Sequence, residues 1–137
     1  MKSIIASLAM ENCSQALEYY QSVFGGEVKN TQQADGVEMF KGHEGKYIHA
    51  ELHINENCIL YLTDVFHSNH QIGNQFQLVL EMSSEEELSS VYKKLSQDGT
   101  VQFPLSDTFW GAKHGVVKDC FGNIWGLNYT KNQLEGS

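Results

Sequence analysis

Three groups of residues have types and spacing suited to chemistry. The first is His49, Glu51 and His53, alternating with Ala50, Leu52 and Ile54. In an extended strand such residues share one face, with about 6.6–7 Å between successive members. Two imidazoles and a carboxylate on one face make a polar cavity wall or an ordinary polar sheet face. They are also ligand types for a divalent metal. A metal, however, needs donors within about 2–2.3 Å of one point, which three residues along a straight strand rarely reach. The second group is His114, which follows Asp107 and Trp110 closely in sequence. An imidazole near a carboxylate and an indole suits general acid/base work, although a loop histidine is more often just solvated. The third is the stretch Phe109-Trp110-Gly111. Two large aromatics in a loop line a ligand site, plug a core or seal a subunit seam.

Other chemistries find little support. The cysteines are Cys13, Cys58 and Cys120, an odd number with no Cys-x-x-Cys, so neither a disulfide framework nor a thiolate zinc site is indicated. Cys58 sits centrally in an apolar run and reads as an inert buried thiol; Cys120, in a turn, is the more exposed thiol but has no evident base. There is no glycine-rich phosphate loop. His43, His67 and His70 lie in polar stretches and carry less weight.

These residues need elements to position them. Ile4 to Ala9 reads as a short strand, followed by a helix capped by Asn12 or Ser14 and running to Phe24, with Leu17, Tyr20 and Phe24 on one face. Gly25-Gly26 ends it. Strands follow at Glu27–Gln33, Tyr47–Ile54 and Cys58–Leu62, and Val37–Lys41 is expected to continue the sheet. Asp64 to Asn74 is polar and reads as a linker. Phe76–Met82 alternates like a strand, and Ser84 with Glu87 forms a capping box ahead of Leu88, Val91, Tyr92 and Leu95. Thr100–Leu105 is a strand whose Pro104 suits an edge. A hairpin then turns at Asp119–Asn123 around Gly122. Past it, Trp125, Leu127 and Tyr129 face one way, and Ile124, Gly126 and Asn128 the other. The tail from Asn132 reads as frayed. Strand, capped helix, glycine stop and three strands thus occur twice, an α+β pattern of mostly antiparallel sheet.

The chain has 137 residues, enough for one domain with a core, and its 41% hydrophobic against 19% charged residues argue against disorder. A net charge of −8, with the nine Lys and Arg scattered, disfavours nucleic acid and anionic membranes as partners. The apolar part of Ile4–Met10 is too short for a signal sequence and is followed by Glu11-Asn12, so a cytoplasmic protein is expected.

Three motifs in order resemble the vicinal-oxygen-chelate superfamily, also called the glyoxalase/bleomycin-resistance/dioxygenase superfamily, in its PhnB-like branch. They are Ala16-Leu17-Glu18-Tyr19-Tyr20 through Gly25-Gly26, then His49-Ala50-Glu51-Leu52, and finally Phe109-Trp110-Gly111 with Asp119-Cys120-Phe121-Gly122-Asn123-Ile124-Trp125. The resemblance implies one domain over 1–137, built from two βαβββ modules at about 1–66 and 74–131. It further implies paired curved, mostly antiparallel sheets, helices on the convex side and a concave cavity. Metal-using members place His or Glu at four strand positions, which motif spacing carries over to Ile5, Tyr61, Gln77 and Gly126. Ile5 and Gly126 offer no side-chain donor, and Tyr61 and Gln77 suit a first-row metal poorly. The expectation is therefore a member without the usual metal and without a cofactor, binding a small organic ligand. The expected wall is Ser7, Tyr61, Gln77, Gly126 and Asn128 with His49 and Glu51 nearby, Gly126 leaving open space. Phe109 and Trp110 would form the lid, with His114 beside them. A metal-dependent lyase or dioxygenase using His49 and Glu51 is the alternative, and a ligand-sequestering resistance-type protein is another. The resemblance implies a homodimer. PhnB-like proteins are sometimes labelled demethylubiquinone methyltransferases, but no glycine-rich S-adenosylmethionine loop follows a strand here.

Overall fold

The computed structural model describes residues 1–67 and 69–131, so the tail from Asn132 lies outside the described residues. The chain divides into two compact units, Met1–Gln71 and Ile72–Ser137.

In the first unit β1 (Ser7–Met10), α1 (Cys13–Phe24), β2 (Glu27–Gln33), β3 (Tyr47–Asn55) and β4 (Cys58–Asp64) form a helix and a four-stranded sheet of order β1-β4-β3-β2. The β1–β4 pair is parallel and the others antiparallel. Asn12 caps α1 by accepting the Gln15 N–H at 3.1 Å. Ala16, Leu17, Tyr20 and Val23, at helical spacing, are the face it buries. A second anchor was not legible as one. The buried Asp64 carboxylate accepts the backbone N–H of Cys13 at 2.9 Å and of Tyr47 at 2.6 Å. It therefore joins the end of β4 to the start of β3 and to the first turn of the helix, where a negative charge is favoured. Burial, with Asp64 adding to it, pushes the Cys13 thiol up to about 12, so this thiol stays protonated and unreactive.

Three expectations change here. The first strand starts at Ser7 rather than Ile4. Val37–Lys41 does not extend the sheet: Glu38–Phe40 is a 3-10 turn, held by Phe40 and Lys41 N–H bonds to the carbonyls of Val37 and Glu38. Phe40 packs on Phe66, with ring centroids 4.7 Å apart. Cys58 is the exposed first residue of β4, just past the Asn55–Asn57 turn, and is not buried.

The second unit repeats the connectivity. It contains β5 (Leu78–Glu81), α2 (Glu85–Asp98), β6 (Thr100–Asp107), β7 (Ala112–Lys118) and β8 (Ile124–Thr130), in sheet order β5-β8-β7-β6 with β5–β8 parallel. The fifth strand is shorter than the alternation from Phe76 suggests. Ser84 accepts the Glu87 N–H at 3.1 Å, and the Glu87 carboxylate reaches back to the Ser83 N–H at 2.8 Å. Leu88, Val91 and Leu95 are buried, and Pro104 lies on the edge strand β6. Trp125 and Leu127 are fully buried. The turn before them is organised by Asp119. One carboxylate oxygen accepts the N–H groups of Phe121 and Asn123, each at 2.9 Å, and the other the Trp125 indole N–H at 2.8 Å. Gly122 supplies the positive φ of 94°. Each unit is thus βαβββ, and the whole is α+β with mostly antiparallel sheets. No helix among the described residues is long and apolar enough to cross a membrane.

Candidate functional site

Cross-strand register shows which residues share a face. In the first unit Ser7 pairs with Tyr61, Tyr61 with Glu51 and Glu51 with Lys29, one row across all four strands. His49 and His53 stand two residues either side of Glu51 on that face. Their side chains close onto it. His49 Nε2 lies 2.7 Å from one Glu51 carboxylate oxygen, and His53 Nε2 lies 2.6 Å from the other. Asn30 Nδ2 donates to the second oxygen at 2.9 Å. Asn30 comes from β2, where the register slips between Lys29 and Gln32 and the backbone takes φ 53°. Asparagine tolerates that left-handed conformation, and the bulge re-aims its side chain across the sheet. Nothing local in the sequence marks Asn30 as part of the cluster.

Glu51 is 8% exposed, and its donors hold its carboxyl down at about 2; His49 contributes most, then Asn30, then His53. An ionised carboxylate only accepts. Each histidine therefore donates from Nε2, and Nδ1 is the ring atom that accepts when the imidazole is neutral. The Tyr61 ring stands edge-on to His49, with centroids 4.7 Å apart. The arrangement is a preorganised anion flanked by two oriented imidazoles and a phenol. Beside His53 an open groove of about 310 Å³ is bordered by Glu27, Lys29 and Asn55. Gly26 also lines it, and its backbone lies against β3, where a Cβ would stand 2.3 Å from the His53 carbonyl oxygen.

In the second unit the corresponding row is Val79, Gly126, Val116 and Phe103. Gly126 thus matches Tyr61, and Val116 matches Glu51. The space expected over Gly126 is filled: a Cβ there would meet Gln77 Nε2 at 3.1 Å. Gln77 packs on the strand because glycine lets it. The next row holds Glu81, Asn128, His114 and Ser106. His114 lies on β7, half-buried, rather than in a loop, and bonds Asn128 Oδ1 from Nδ1 at 3.3 Å. Asp107 does not serve it, since it pairs with Lys113 in the ladder and forms an ion pair with Lys131. Phe109 is 97% and Trp110 57% exposed, packed edge-to-face at 4.9 Å. Trp110 therefore does not plug this unit's core; Trp125 does. The Trp110 ring lies 6.4 Å from His114.

Of the sequence-derived site residues, Glu51, His49 and Tyr61 come together in the first unit. Asn128 and His114 come together in the second, with Trp110 and Phe109 beside them and Gln77 over Gly126. His53 and Asn30 join the first cluster, and Glu81 the second. Of the four positions that the resemblance carries over from metal-using members, Ile5 presents only hydrocarbon and Gly126 is covered by Gln77. Among the described residues no three His, Cys, Asp or Glu side chains converge on a point that would hold a metal.

Two βαβββ units with this connectivity and these motifs define a class. The chain belongs to the Glyoxalase/Bleomycin resistance protein/Dioxygenase superfamily, whose sequence profile matches residues 5–127. Among its relatives, Protein YjdN of Escherichia coli (strain K12) is 28% identical over 134 residues, covering 89% of this chain and 90% of that protein. Two solved structures are close in fold. Protein PA1353 from Pseudomonas aeruginosa has a TM-score of 0.78 at 26% identity, covering 94% of this chain and 99% of that one. A Bacillus cereus protein, described as a putative 3-demethylubiquinone-9 3-methyltransferase, PhnB protein, has a TM-score of 0.76 at 27% identity, covering 93% and 99%. The likeness to PhnB-like proteins therefore extends from motifs to fold.

Proposed function

We propose that this chain binds a small organic ligand on the Glu51 face of its first sheet, without the metal centre of the metal-dependent members. The observation that supports this most is the Glu51 carboxylate held by three side chains. Both its oxygens are occupied by His49, His53 and Asn30, so it acts as a fixed anchor that aims two imidazoles. His49 remains partly open, its side chain 36% exposed, and Tyr61 flanks it. A ligand would meet an imidazole acceptor and a phenol, which suits a polar organic molecule with a hydrogen-bond donor and a flat face. The methyltransferase description of the Bacillus cereus protein gains no support from this chain, which lacks a glycine-rich loop after a strand.

The test uses protein as isolated from producing cells. Native mass spectrometry should show a bound organic species that Tyr61→Ala and His49→Ala reduce. Elemental analysis after dialysis should show no stoichiometric metal. About one zinc, nickel or iron per chain would reject this reading and favour a lyase or dioxygenase using His49 and Glu51. A ligand recovered unchanged after long incubation would indicate sequestration rather than turnover.

A further inference from the structure

A second polar cluster stands on the other unit. Glu81, on β5, accepts three bonds: Asn128 Nδ2 at 2.7 Å, the Thr130 N–H at 3.0 Å and the Thr130 hydroxyl at 3.1 Å. A carboxylate cannot donate, so it fixes which end of the Asn128 amide faces it. The NH2 points to Glu81, and the carbonyl oxygen Oδ1 is left facing His114. An amide oxygen can only accept, so the His114 nitrogen opposite it, Nδ1, must carry the proton. In the neutral ring the acceptor is then Nε2. The chain carboxylate–amide–imidazole thus sets the tautomer of a histidine from two strands away, the ordinary way a second partner orients a functional imidazole.

What stands beside that imidazole argues for its use. Trp110 is more than half exposed, its ring 6.4 Å from His114 and inclined at 59°, and Phe109 meets it edge-on. An exposed indole buttressed by a second ring is a stacking platform. The cations nearby are engaged, Lys113 with Glu85 and Lys131 with Asp107. Glu81 leaves the row negative. We infer that His114, oriented by Asn128 and Glu81, and Trp110 form a subsite for a neutral aromatic molecule bearing an O–H or N–H donor. The ring stacks on the indole and the donor bonds His114 Nε2. His114 and Trp110 touch the ligand; Asn128 and Glu81 are positioning residues.

Phenol is the simplest probe, with anisole lacking the donor, cyclohexanol lacking the ring and benzoate carrying the wrong charge. Nitrogen-detected NMR of the intact chain should find His114 in the Nδ1–H form. Glu81→Ala should release the amide and raise the Nε2–H fraction. Titration with phenol should shift the Trp110 indole N–H and the His114 ring saturably. Anisole, cyclohexanol and benzoate should each bind about tenfold more weakly, the loss expected for one missing interaction of this kind. His114→Ala should erase the preference for phenol over anisole, and Trp110→Ala should weaken both. The Trp125 indole signal, set by its bond to Asp119, reports that each variant is folded. A native Nε2–H tautomer, equal binding of phenol and anisole to the unaltered chain, or shifts that never saturate would each overturn the inference. These readings need no variant, and none depends on the Glu51 face.

Discussion

At the scale of single residues, Glu51 carries the largest electrostatic consequence. Its folded pKa, about 2, lies below the ordinary 4.5. A depressed carboxyl stabilises the fold fully above pH 4.5 and loses that contribution as pH falls toward 2. The groups facing it are His49 and His53 from β3, Asn30 and Lys29 from β2, and Tyr61 from β4. Glu51→Gln should therefore lower stability at neutral pH by about 2–3 kcal/mol. That deficit should shrink between pH 4.5 and 2. Urea unfolding of both proteins across this range measures it, and a deficit that ignores pH would count against the network. Trp110 and Trp125 make the opposite comparison. Trp110→Ala removes an exposed ring and should change stability by less than about 1 kcal/mol. Trp125→Ala empties a fully buried site and should cost about 3–5 kcal/mol. A large loss from Trp110→Ala would mean that its ring is structural.

At the scale of elements, the β7–β8 turn depends on one side chain. Asp119 satisfies two turn amides and the buried indole of Trp125, so Asp119→Ala leaves three donors without their acceptor. The expected cost is about 2–4 kcal/mol, and the indole N–H signal should move toward its solvent-exposed position. Asp119→Asn should recover part of the loss, since an amide oxygen still accepts. Gly26 plays a different part at the first site. Its missing Cβ lets β2 begin against the backbone of His53 and Ile54. Gly26→Ala should displace β2 from β3, loosening Asn30 from Glu51. Loss of hydrogen-exchange protection along β2, with α1 unaffected, would show it.

At the scale of the molecule, apolar side chains stand out from both units. Ile4, Met39, Phe76, Val79, Phe103 and Phe109 are each more than 60% exposed. Pairing of two chains would take such side chains out of water. We predict a homodimer at micromolar concentration. Light scattering should give twice the 15.4 kDa chain mass, and Phe103→Asp should shift it toward one chain. A single-chain mass for the unaltered protein would refute the prediction.

Period-two alternation was enough to put His49, Glu51 and His53 on one face, and helical spacing with Asn12, Ser84 and Glu87 was enough to mark both helices. Asp119 and Gly122 announced their turn. These signals are local: each depends on residues within one element or one turn, where geometry follows from backbone periodicity. The three motifs in their order likewise carried the resemblance to the superfamily, since each is a short run of neighbouring residues. What the tertiary structure decided depends on neighbours far along the chain. The bulge that swings Asn30 onto Glu51 exists only because β2 pairs with β3. Gln77 covers Gly126, closing a space that the sequence leaves open. His114 gains Asn128 because β7 lies beside β8, and Asp64 becomes an anchor because three chain segments meet at its carboxylate. Composition and spacing name the groups that can do chemistry; only the cross-strand register brings their donors to their acceptors, since hydrogen bonds act over about 3 Å and sequence separation does not report that distance.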